Sequence, residues 1–174
     1  MKPLEDLQQA IQNIIQQEMP AIVTCDLYPS IRKAIPAPAI FIELSGIDPG
    51  QDPGTGELAI IVTIEARIVI DNHVAQAELQ IQNLAADLAR LVHRNQWGLE
   101  VSPAEFINAT PDAFKADLDA YLVWQVTWQH QLHLGESIWK DSDIEAHTIY
   151  VGFAPYIGEP HEDKYQGLAD GSGI

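Results

Sequence analysis

A chain of 174 residues is long enough for one well-buried core and short for two. Its net charge of -16, from 9 basic against 25 acidic residues, excludes a protein that grips nucleic acid through its phosphates, because that grip needs clustered Lys and Arg. The single cysteine, Cys25, excludes an intrachain disulfide and a thiolate metal box, and reads as a small core residue. No apolar run is long enough for a spanning helix, and the start MKPLEDLQQA lacks the apolar centre of a signal peptide, so the expectation is a protein made in the cytoplasm.

A first helix is announced by Pro3, with Glu5 and Asp6 at the positive end of its dipole and Leu4, Leu7, Ile11, Ile14 and Ile15 at helical spacing. Pro20 ends it. Gln8, Gln9, Gln12, Gln16 and Gln17 fill its outer positions, an uncharged face suited to meeting protein as well as water. Ala21 to Tyr28 reads as a short strand, Pro29 to Pro38 as a break, and Ala39 to Ser45 as a second strand. Gly46 to Glu57, with two Pro-Gly pairs, reads as a protruding loop.

Leu58 to Asp71 is an unusually long strand pattern. At period two it places Leu58, Ile60, Val62, Ile64, Ala66, Ile68 and Ile70 on one face, with Thr63, Glu65, Arg67 and Asp71 opposite. Ile61 and Val69 share that second face, so it suits a sheet that something covers, such as another copy of the chain. Asn72 then reads as the cap of a second helix with the stripe Val74, Ala77, Ile81, Leu84, Leu88 and Leu91, ending near Asn95 and Gly98. Pro103 to Thr110 reads as a strand, Pro111 to Asp119 as a loop, and Tyr121 to Leu134 as a long strand aligning Leu122, Trp124, Val126, Trp128, Leu132 and Leu134.

From Gly135 no period is sustained, though Ile149, Val151 and Phe153 suit a short strand, and the many aromatics suit an arm ordered by contact. The expected fold is therefore α+β: a mixed, mainly antiparallel sheet of four or five strands with two helices on one face. Residues 1–135 form the domain and 136–174 an extended arm packing on it or on neighbouring subunits.

Catalytic constellations are not found. Gly50 to Gly56 precedes a strand and has no following lysine, unlike a phosphate loop. His130 and His133 lie three apart on a strand and face opposite ways, so they do not share a metal, and His130 reads as a hydrogen-bonded core histidine. His161, Glu162 and Asp163 read as solvated surface, and Trp124 and Trp128 as core without the interleaved basic residues of a base-stacking platform. No catalytic, cofactor or metal residues are assigned, and a non-enzymatic protein is expected.

Four phrases carry a resemblance: DPGQDPGTGELA from Asp48 to Ala59, LVHRNQWGL from Leu91 to Leu99, HLGESIW from His133 to Trp139, and VGFAPYIGEPHEDKY from Val151 to Tyr165. In these the chain resembles the tail terminator proteins of Mu-like phages and prophages. The resemblance implies a virion structural subunit, made in the bacterial host, that forms a homohexameric ring on the head-proximal end of the tail tube. The ring stops tube growth and joins the tail to the neck. Its implied partners are the tube protein, a neck or connector protein and, in a contractile tail, the sheath, with genomic DNA passing through without specific binding. The alternatives are a neck or head-completion subunit and, in another class, a small metal-dependent hydrolase. Negative walls would limit adhesion of the passing DNA, and Asp48, Asp52 and Glu57 are the lumen candidates. Glu65, Arg67, Trp139, Tyr150, Phe153 and Tyr156 complete the candidates for interface contacts.

Overall fold

The computed structural model describes residues 3–27, 36–112, 120–138, 149–151 and 153–168, in two compact units, Met1–Ile138 and Trp139–Ile174. In the first unit, helix α1 (Pro3–Glu18) is followed by β1 (Thr24–Leu27), β2 (Ala39–Pro49), β3 (Leu58–Asp71), helix α2 (Ala77–Val92), β4 (Glu105–Pro111) and β5 (Tyr121–Leu134). The five strands make one open sheet in the order β1-β2-β3-β5-β4. β1 runs parallel to β2 and every other pairing is antiparallel, which makes the fold α+β with a mixed sheet.

The pairing of β3 with β5 spans all 14 residues of each, from Leu58 opposite Leu134 to Asp71 opposite Tyr121. Even-numbered positions of both strands face the helices. There Ile60, Val62, Ile64, Ala66, Ile68 and Ile70 meet Val126, Trp128 and Leu132, closed over by Leu7, Ile11 and Ile15 of α1 and Ile81, Ala85, Leu88 and Val92 of α2. Removing that much aliphatic surface from water is the main stabilising term of the unit. Leu58 is the exception to the expected stripe, because it lies at the strand end and is exposed.

Two boundaries differ from the sequence reading. β2 continues through Gly46–Pro49, because Ser45 forms a bulge between Leu44 and Gly46 and the ladder resumes with Gly46 opposite Thr63 and Asp48 opposite Ile61. A loop remains only at residues 50–57. Helix α2 begins at Ala77 and not at Asn72: Gln76 stands before it with φ +56°, and Val74 is exposed and outside the stripe. The Asp71 carboxylate accepts the amide of His73 at 2.8 Å, which holds 71–73 in a turn in place of a helical start. β1 and β4 are also shorter or shifted relative to Ala21–Tyr28 and Pro103–Thr110, and most of the expected loop from Pro111 to Asp119 lies outside the described residues.

In the second unit, β6 (Ile149–Val151) pairs antiparallel with β7 (Gln166–Leu168), and a short 3-10 helix covers Glu159–Lys164. Phe153 lies beyond β6 and is exposed, so it does not extend the expected strand. Among the described residues no helix is long and apolar enough to cross a membrane.

Candidate interaction surfaces

The face of the sheet turned away from the helices is formed by odd-numbered residues of β3 and β5 with their neighbours in β2. At one end it is apolar and buried: Ala39, Phe41, Val69 and Val123 form a second small cluster with Tyr121 beside them. Toward the other end it becomes polar. Thr63 accepts the side-chain amide of Gln129 at 2.9 Å, and Gln125 donates to Thr127 at 3.2 Å. No helix of the described residues covers this polar part, and its Glu43, Thr63, Glu65, Arg67, Gln125 and Gln129 are all half-buried.

Arg67 is the centre of that face. Among the described residues its guanidinium touches three carboxylates: Nη1 meets Glu43, Nη2 meets Glu65 at 2.9 Å, and Nε meets Asp112 at 3.1 Å. Cross-strand register explains the meeting, since Phe41 is directly opposite Arg67 and Glu43 directly opposite Glu65, putting Glu43 diagonal to Arg67. Burial works against the guanidinium charge, but the hydrogen bonds to Glu43 and Asp112 and the fields of Glu43 and Glu65 outweigh it, holding the Arg67 pKa above the usual arginine value. The candidates Glu65 and Arg67 are therefore joined in one intramolecular cluster.

The lumen candidates separate. Asp48 is on β2, exposed on the outer face, and not in a loop. Asp52 is in the loop and accepts the Gly54 amide at 2.8 Å, so it builds the turn it sits in. Glu57 accepts the Thr55 hydroxyl at 2.7 Å and lines a groove. The loop is seated on the chain that follows β5: Ile138 donates its amide to the Thr55 carbonyl at 2.8 Å, and a Cβ on Gly56 (φ +79°) would lie 2.9 Å from the Ile138 side chain.

That groove has a volume of about 670 Å³. Its walls come from the start of α1 (Pro3, Asp6), residues 99–102, Glu57, and the end of β5 from Gln131 to His133 with Gly135. The segment 99–102 is fixed by Trp97 and His130. The Trp97 indole N–H donates to His130 Nε2 at 2.8 Å, and His130 Nδ1 lies 2.7 Å from the Ser102 carbonyl. An indole nitrogen only donates and a carbonyl only accepts, so His130 is neutral with its proton on Nδ1. Burial pushes its pKa down against the opposing pull of the Ser102 bond. His130 is thus a buried, hydrogen-bonded histidine facing the helices, while His133 is exposed on the other face. Among the described residues no group of three or more His, Cys, Asp or Glu is arranged to hold a metal ion.

The glutamine face of α1 has a partner within the chain. Gln12 and Gln16 both donate to the Cys25 carbonyl in β1, at 2.8 and 3.2 Å. In the second unit Tyr156 is half exposed, with the Lys164 ammonium 3.8 Å from its ring centre and His161 edge-on at 5.6 Å. Phe153 is 69% exposed. Of Tyr150 only the backbone in β6 is described, and Trp139 lies outside the described residues.

The Trp97 to Ser102 link carried no periodic signal in the sequence. A lone tryptophan after a helix end, with a histidine in a strand 33 residues later, is the only trace of it. Neither the protein-family models nor the curated proteins compared with this chain give a match. What the surfaces do therefore rests on their chemistry and on the phrases from Asp48 to Tyr165.

Proposed function

We propose that this protein is a tail-terminator-like structural subunit, non-enzymatic, which assembles as a homohexameric ring on the head-proximal rim of a phage tail tube and joins the tail to the neck. The observation that carries the reading is the sheet itself: helices bury one face, while much of the other is polar, half-buried and without a covering helix among the described residues. Such a face suits reversible mating with a like or unlike subunit better than it suits solvent alone. The resemblance of four phrases to terminator proteins supplies the identity of the partners: copies of the same chain, the tube protein, a neck protein and, in a contractile tail, the sheath. Exposed Asp48 and Asp52 are the residues proposed to face passing DNA, where acidic walls reduce adhesion.

Electron microscopy of tails assembled without this protein tests the reading. The expected result is tubes of uncontrolled length that fail to join heads. Tails of normal length that join heads would overturn it. On purified tubes, addition of the protein should place a ring at one end only.

A further inference from the structure

We infer that the groove at the end of β5 receives an extended, lysine- or arginine-bearing segment of another protein, which adds as a strand to the open edge of β5 at His133. The inference stands on the groove and not on the tail reading. In an antiparallel strand, the main-chain N–H and C=O of every second residue point toward the same neighbour. Gln129 of β5 is paired with Glu105 of β4. Gln131 is served next by Ser102, whose amide donates to the Gln131 carbonyl at 3.0 Å and whose hydroxyl accepts the Gln131 amide at 2.7 Å.

His133 follows with the same parity, and β4 and its Ser102 extension do not reach it. Beyond Gln131 the two chains part and the groove opens between them. Among the described residues no bond to the His133 main chain is made from that side. An unpaired strand edge is a template for main-chain pairing by a second chain. Leu99, Val101 and Pro3 offer apolar walls for side chains of the incoming segment.

Charge decides which segment fits. Asp6, Glu57 and Glu100 line the groove, and among the described residues that line it there is no lysine or arginine. On a chain of net charge -16, an acidic segment would be repelled and a cationic one drawn in. A second copy of so acidic a chain is for the same reason the poorer occupant.

The test uses the whole protein and three fluorescent peptides of about ten residues: one alternating lysine and valine, the same peptide N-methylated on alternate residues so that its ladder edge is blocked, and a glutamate-valine counterpart. Polarisation measures binding, and amide hydrogen exchange locates it. The lysine peptide should bind, the N-methylated one about tenfold or more weaker, and the glutamate one not at all. Glu57→Gln with Glu100→Gln should also weaken binding about tenfold while leaving the folded protein intact, and the His133 amide should exchange more slowly with the lysine peptide bound. Equal binding of the methylated and unmethylated peptides would reduce the effect to bare charge attraction and overturn the inference. So would absence of lysine-peptide binding, or an unchanged His133 amide. A His133 amide already protected in a protein that light scattering shows to be dimeric would assign the edge to a second copy, and would also overturn it.

Discussion

Gln12 reaches from α1 to the edge of the sheet and donates its side-chain amide to the Cys25 carbonyl at 2.8 Å, with Gln16, one turn later, donating to the same oxygen at 3.2 Å. A side chain here does the work of a neighbouring strand, covering an edge that would otherwise be open to pairing. Because the two donors share one acceptor, each backs up the other. Gln12→Ala and Gln16→Ala alone should each cost less than about 1 kcal/mol, and the double variant about 1–2 kcal/mol, more than the sum of the two. Urea unfolding of the three variants measures this; strict additivity would show that the acceptor is not shared.

The thiol of the same Cys25 is buried, and its Sγ lies 3.9 Å from the Gln12 carbonyl. Burial, with a smaller contribution from Asp26, pushes its pKa up to about 12. Thiolate is the reactive form, so the native protein should be almost inert to a thiol-specific disulfide reagent at neutral pH and react fully once unfolded. Rapid labelling of the native chain would contradict the packing of β1 under α1.

Trp97 and Trp128 lie with ring centres 6.1 Å apart, both buried, yet their indole N–H groups have opposite fates. That of Trp97 is given to His130, whereas that of Trp128 has no partner among the described residues. Truncation to Phe removes similar volume from each. Trp97→Phe also strands the His130 acceptor and should cost about 2–4 kcal/mol; Trp128→Phe removes an unpaired donor and should cost roughly 1–2 kcal/mol less. Chemical denaturation of the two variants gives the order, and a reversed order would contradict the assigned hydrogen bond.

The same pairing sets a pH dependence. His130 is held neutral in the folded state with a pKa below its ordinary 6.5, so below that value the unfolded chain binds the proton more readily. Its contribution to stability is full above about pH 6.5 and falls as the pH drops from there toward the folded-state pKa. Denaturation midpoints across this window should fall with acidity, and the His130 part of the slope should vanish in His130→Gln even if that variant starts less stable. Titration of the His130 ring by NMR at or above its ordinary pKa would refute the neutral assignment.

Much of the fold was legible because one face of β3 and β5 is buried along its length, while the other is buried at one end and half-buried and polar beyond it. Ile60 to Ile70 and Leu122 to Leu134 carry that difference as alternation, and α1 and the body of α2 carry it as a helical stripe. The errors fall where backbone geometry replaces patterning. Ser45 adds one residue to β2, so Gly46–Pro49 loses its visible alternation and, with its glycine and proline, imitates a loop. Asn72 has the chemistry of a cap, but the turn held by Asp71 and His73 takes that stretch first. The site residues were harder still: Glu65 and Arg67 are two apart on one strand, while their partners Glu43 and Asp112 are brought in by register alone.

Arg67 is the cation that permits Glu43, Glu65 and Asp112 to gather on one polar sheet face. Their side chains are 11 to 34% exposed, so water screens part of the interaction. Replacing Arg67 by Gln leaves three carboxylates facing one another, and the loss at neutral pH should be about 1–2 kcal/mol after that screening. Added salt screens their mutual repulsion and should narrow that loss. Paired urea titrations of wild type and Arg67→Gln at low and high salt decide the matter: a deficit unchanged by salt would mean that Arg67 acts through its hydrocarbon packing and not through its charge.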